Sequence, residues 1–175
     1  MLAKEVSARL MPYNDYLQLL LTESDLSGGG DAPSATQMVE IMGALSALGG
    51  TVIVDCGLGL TAVNRPVIEQ ADHILLCVQP ERVGLAAAKQ FMAQLQDILF
   101  SPIHIHLVLL EFSGSMNVPQ QAIESFLGQP VSATITIPAQ DLRRAVNKNM
   151  PLVQLYPDTK ATALINQLAH QLVRD

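Results

Sequence analysis

With 175 residues, 49% of them apolar, the chain is long enough for one globular domain with a sizeable core. Its formal charge of −6, from 10 Lys and Arg against 16 Asp and Glu, sets up a field that repels nucleic acid, so non-specific DNA binding is not expected. Apolar runs are strand-sized, short of the roughly 20 residues that span a bilayer, and Lys4, Glu5 and Arg9 interrupt the stretch where a secretory signal needs an apolar core. These features predict a cytoplasmic domain with no direct membrane insertion, in which Cys56 and Cys77 are reduced, inert thiols.

In chain order, a first segment (13–22) is set off by Gly28, Gly29, Gly30, Asp31, Ala32 and Pro33, a low-complexity stretch read as a surface loop. Residues 1–33 are thus a divergent amino-terminal part, and 34–175 an α/β body of the same single domain. A helix over 34–48 places Met38, Ile41, Met42, Leu45 and Leu48 on one face, with Ser34 and Gln37 spaced as a capping box and Gly49-Gly50 ending it. The run 51–55 (TVIVD) reads as a strand, 66–71 as a short helix and 73–79 (HILLCVQ) as a second strand. Ala88, Met92, Leu95 and Leu99 mark the next helix, and 103–110 (IHIHLVLL) the next strand. Asn117, Pro119 and Gly128 bracket a helix with Ile123, Phe126 and Leu127 as apolar contacts. A strand over 131–137 and a final helix from near Asp158, striped by Ala161, Leu164, Ile165, Leu168 and Leu172, complete the pattern. Strands alternating with helices, each strand a nearly continuous apolar run, predict an α/β fold. Its Rossmann-like, mostly parallel sheet has about five strands, with helices on both faces.

The chemistry concentrates between Thr51 and Glu81, where an acid closes an apolar strand and glycines follow at once. Gly57, Gly59 and Ala62 fit a dinucleotide fingerprint, with Glu81 about where a ribose-binding acid would stand. That site needs a helix beginning at the glycines, and Pro66 would then break it at a cost of about 3 kcal/mol. The more economical reading makes 57–65 a loop and puts Pro66 in a helix's first turn. Asp55 then reads as the strand-end acid of a nucleotide hydrolase, ordering a Mg²⁺ shell beside a glycine loop. Its partner motif, G-x-x-x-x-G-K-[ST], occurs nowhere, and Gly28–Gly30 leads into Asp31 where a lysine is needed. His104 and His106 share a strand face and could chelate a metal, but no nearby Cys, Asp or Glu completes the set, so no metal is expected. Arg143 and Arg144, with Lys148, are a candidate contact surface against the plainer reading of a solvated helix face.

Val52-Ile53-Val54-Asp55-Cys56-Gly57, then Gln70-Ala71-Asp72-His73-Ile74-Leu75-Leu76 with Val78-Gln79-Pro80-Glu81, resembles the second half of the MinD/ParA ATPases. Phe126-Leu127-Gly128-Gln129-Pro130-Val131, Ile135-Thr136-Ile137-Pro138 and the run from Arg144 to Leu152 are similar to later segments of that family. The divergent CpaE/TadZ branch, which localises pili, looks closest. The resemblance implies an incomplete P-loop NTPase fold of the SIMIBI class whose Walker A strand, loop and helix should precede Leu17, where 16 residues stand. It implies Asp55, Gly57 and Gly59 as a vestigial Mg²⁺ and nucleotide site, and the 57–65 loop with Arg65 on a face where the family dimerises. Glu111 stands where the family places an adenine-reading Asn. No cofactor is expected, with ATP and Mg²⁺ entering only if the missing P-loop is supplied. The implied function is a non-catalytic domain working through protein partners or a homodimer in the placement of a pilus, secretion or other membrane-associated machine. Its alternatives are the C-terminal part of an active ATPase and a dinucleotide-binding module.

Overall fold

The structure, a computed structural model, describes residues 2–21, 33–98, 104–112 and 118–174. The chain divides into two compact units, Met1–Ala71 and Asp72–Asp175. The glycine run at 28–30, Leu99, Ile103 and Asn117 lie outside the described residues.

In the first unit, α1 (Leu2–Arg9) leads into a two-residue antiparallel pair, β1 (Met11–Pro12) and β2 (Gln18–Leu19). Asn14 makes the turn between them, its Oδ1 accepting the amides of Tyr16 (2.9 Å) and Leu17 (2.8 Å). Helix α2 (Ala35–Ser46) opens on the expected capping box: Ser34 Oγ accepts from the Gln37 amide at 3.2 Å, and Gln37 Oε1 from the Ser34 amide at 2.8 Å. Helix α2 packs against both α1 and α3 (Arg65–Glu69). Among the described residues of this unit, Val6, Ala44, Val67 and Ile68 are the buried apolar ones.

Residues 51–57 correct the strand expected at TVIVD. Their side chains alternate between exposed and half-buried, as in a strand, but the backbone joins no ladder among the described residues. Propensity makes the segment extended; a partner is needed to make it a strand. Ile53 stays 86% exposed in consequence.

The second unit is built from β3 (His73–Val78), α4 (Arg82–Ile98), β4 (His104–Glu111), α5 (Gln120–Leu127), β5 (Val131–Thr136), α6 (Ala139–Asn147), α7 (Leu152–Leu155) and α8 (Lys160–Arg174). Its three strands are parallel in the order β3-β4-β5, with a register irregularity between Leu107 and Val108. One sheet face is closed by α4 and α5, which bring Leu85, Ala88, Met92, Ile123 and Leu127 against Val78, Leu107 and Leu109. The other is closed by α8, with Ala161 and Leu168 on Val108, Ile135 and Ile137. Helix α5 ends on Gly128, whose φ of 72° is a left-handed conformation that glycine adopts without strain. Pro119 is its N-cap residue rather than part of its first turn. Glu124 ties this helix to the next strand by accepting the Val131 amide at 3.0 Å.

Two expectations change here. Among the described residues the parallel sheet has three strands rather than about five, because 51–57 joins no ladder and β1–β2 form a separate pair. Strand β3 is not covered on both faces: Leu76 packs into the core, while Leu75 is 41% exposed and Cys77 is exposed. Among the described residues no helix is long and apolar enough to cross a membrane.

Candidate functional site

Asp55 closes the extended apolar run of the first unit, and its Oδ1 accepts the Gly57 amide at 3.0 Å, turning the chain immediately. Gly57 (φ 66°) and Gly59 (φ 72°) are both left-handed, which explains why glycines alternate here. Between them Leu58 projects, 97% exposed.

The loop closes on Asn64, which is 7% exposed and uses its whole amide group. Its Oδ1 accepts the Thr61 amide at 2.7 Å, while its Nδ2 donates to the carbonyls of Cys56 (3.1 Å) and Gly59 (2.9 Å). Thr61 Oγ1 returns the contact by accepting the Asn64 amide at 3.1 Å. Helix α3 then begins at Arg65, with Pro66 in its first turn, and Arg65 Nε pairs with Glu69 at 2.7 Å. The amino end of α3 therefore does not lie at the glycines, where a dinucleotide pyrophosphate would require it.

Asp55 already holds a loop amide, no lysine stands between it and Arg65, and Arg65 is engaged with Glu69. Burial, followed by the adjacent Asp55 carboxylate, pushes the Cys56 thiol above its ordinary range. Asp55→Asn removes the charge that disfavours thiolate. It should lower the Cys56 pKa and speed its alkylation by iodoacetamide at pH 8; an unchanged rate would show that the carboxylate does not act on the thiol.

The predicted residues fall into two groups. Asp55, Gly57, Gly59 and Arg65 share this one loop, whereas Arg143 and Arg144 lie on α6 of the other unit. Interaction with Tyr156, then the charge of Asp141, pushes the Arg144 guanidinium above its usual range. Arg143 is exposed and contacts its own helix, donating to the Ala139 carbonyl at 3.4 Å.

On β4, His106 meets His73, with Nε2 and Nδ1 3.2 Å apart, and the His104 ring stacks on His73. One ring donates and the other accepts, so this contact is a hydrogen bond; among the described residues no three His, Cys, Asp or Glu are grouped to hold a metal ion.

Sequence reasoning passed over one residue of the loop, and named Glu111 only for the Asn it replaces. Asn64 was signalled by Thr61-x-x-Asn64 running into Arg65-Pro66, a turn-and-cap pattern. Glu111 was signalled as a second acid closing an apolar strand. It is 7% exposed; Oε2 accepts from Thr136 Oγ1 at 3.1 Å, whereas Oε1 is buried with no hydrogen-bond partner. Leaving such an oxygen unsatisfied costs about 1–3 kcal/mol or more, at the carboxyl ends of parallel strands where α/β proteins bind ligands. Thr136 also lines a cavity of about 230 Å³ with Asp141, Tyr156 and Lys160.

Against solved structures, the chain superposes on a ParA family ATPase from Chlorobium tepidum TLS with a TM-score of 0.84 at 16% identity, covering 95% of this chain and 69% of that one. The Pyrococcus furiosus cell division ATPase MinD gives a TM-score of 0.73 at 21% identity, covering 99% and 73%. The fold is of the MinD/ParA type. No family model matches the chain. In sequence it is 27% identical over 137 residues to an uncharacterized ATP-binding protein of Methanocaldococcus jannaschii, a match that covers 78% of this chain. The chain spans 51% of that curated relative's length.

Proposed function

We propose that this chain is a non-catalytic MinD/ParA-like domain of the cytoplasm. It works through protein contacts, in a homodimer or with a partner, to position a membrane-associated machine such as a pilus or secretion assembly of the CpaE/TadZ kind. The observation that supports this reading is the self-contained loop. Asn64 spends its amide group, and Asp55 one carboxylate oxygen, on the loop's own backbone, while Leu58 at its tip is 97% exposed. A loop satisfied internally, with an apolar tip, suits a contact surface better than a phosphate cradle. Asp55, Gly57 and Gly59 are then a vestigial nucleotide site, and Arg65, Arg143 and Arg144 lie on contact surfaces.

A second reading has a specific observation in its favour: the matched archaeal protein is named as ATP-binding, and this chain accounts for 51% of its length. On that reading the chain is the C-terminal part of an active ATPase, and ATP and Mg²⁺ bind once a P-loop is supplied.

Calorimetric titration of the folded chain with Mg-ATP and Mg-ADP tests the proposal. No binding is expected. A dissociation constant below roughly 100 μM, about −5.5 kcal/mol, would overturn the non-catalytic reading.

A further inference from the structure

Helices α4 and α5 pack against each other and leave a groove between them, a cavity of about 330 Å³ lined by Arg82, Leu85, Val118, Ala122, Ile123 and Phe126. Every one of these residues belongs to the second unit. Leu85 and Ile123 are buried beneath the groove, whereas Phe126 is 49% exposed along its side. A half-exposed phenyl ring beside an apolar cavity is surface that gains from being covered.

The rim of the groove is basic. Arg82 and Lys89 stand seven positions apart on α4, which is two turns of one helix face and about 10 Å along the axis. Both face α5: Arg82 lines the cavity, and the Lys89 ammonium lies 5.8 Å from the centre of the Phe126 ring. Among the described residues neither is paired with an acid. Glu124, the acid of α5, is engaged elsewhere, with Gln120 and the Val131 amide. Two unpaired cations thus border an apolar groove in a chain whose formal charge is −6.

We propose that this groove is the docking site for an amphipathic helix of a partner protein, with a large apolar residue that enters the cavity and acids two turns apart that meet Arg82 and Lys89. Charge complementarity argues for an acidic occupant, and the spacing argues for a helix, because acids at i and i+7 on one helix face recur at the same distance as the two cations. A second copy of the chain does not supply it. Each of α1 to α6 carries one acid, and α7 and α8 carry none, so no described helix holds the pair. The inference rests on the protein-contact reading and gives it a surface and a class of partner.

The test sets the full chain against a display library of helical peptides about 18 residues long, five turns, with a fixed leucine stripe and flanking positions varied among Glu, Gln and Lys. Selection should enrich Glu at positions seven apart. An enriched peptide, made synthetically and followed by fluorescence anisotropy, should bind more weakly as salt rises. Arg82→Glu with Lys89→Glu, at two exposed positions, should weaken that peptide about tenfold or more and turn the selection toward Lys. Ala122→Glu, which puts an acid in the groove itself, should abolish binding, while the circular dichroism of each variant matches the parent. The same enrichment for the parent and the double variant, or no enrichment at all, would overturn the proposal. So would sedimentation with vesicles of equal parts phosphatidylglycerol and phosphatidylcholine that requires Arg82 and Lys89 while no peptide is selected, which marks a bilayer surface. Mg-ATP binding by the chain would instead refute the non-catalytic reading and leave the charge preference of the selection as it stands.

Discussion

Asn64→Ala should raise hydrogen exchange at the Thr61 amide about 100-fold, corresponding to roughly 3 kcal/mol of lost local stability. The substitution removes the Oδ1 that accepts the Thr61 amide and the Nδ2 that donates to the Cys56 and Gly59 carbonyls. Those backbone groups are part-buried, so they are not simply handed to bulk water. Asn64→Asp is the informative companion. It keeps the acceptor for Thr61 but turns a carboxylate oxygen toward two carbonyls, so it should also loosen the Cys56–Gly59 side of the loop. If Thr61 exchanges at its parental rate in Asn64→Ala, the loop is held by its glycine conformations and not by this side chain. Should the loop be the contact surface proposed above, self-association or partner binding would fall along with its order.

Gly84→Ala should destabilise the second unit by about 2 kcal/mol, the ordinary cost of forcing an extra carbon into a packed position. A Cβ at Gly84 would lie 2.5 Å from the Gln79 carbonyl oxygen and 3.5 Å from its carbon, both backbone atoms that no side-chain rotation can clear. That carbonyl is already fixed by the Glu81 amide, 2.8 Å away, in the turn that joins β3 to α4. The sign of the effect is decisive, because helix propensity alone predicts that alanine here would stabilise by about 0.8–1 kcal/mol. Urea unfolding followed by circular dichroism would separate the two: a lower midpoint at unchanged slope is expected, and a higher midpoint would mean that α4 can lift away from the turn without loss.

Local signals in this chain proved legible where short-range chemistry decides the outcome. Ser34 and Gln37 cap α2 as their spacing requires, Gly128 ends α5, and Pro66 sits in the first turn of α3 with the glycines before it left as a loop. Of the α4 stripe, Ala88 and Met92 are buried against the sheet as its period demands, and Leu95 is fully buried. Asp55 and the glycines after it could be singled out because an acid closing an apolar run stands out in composition. Arg143 and Arg144 could be seen as a charge cluster, but nothing in their neighbourhood along the chain pointed to Tyr156, which engages Arg144.

What the sequence by itself determined is the backbone preference of each segment and the α/β alternation, because these follow from side-chain periodicity, caps and turn residues within a few positions. Tertiary structure alone decided which extended runs become strands, since a ladder needs a second backbone. Among the described residues the run at 51–57 is extended but joins no ladder, while His73–Val78 pairs with β4 alone. Pairing across the sheet also left Glu111 with one oxygen bonded to Thr136 and the other buried without a hydrogen-bond partner among the described residues, and brought His73 against His106. Those contacts join residues 25 and 33 positions apart, and a separation of that size leaves no trace in local pattern because register, not sequence spacing, sets it.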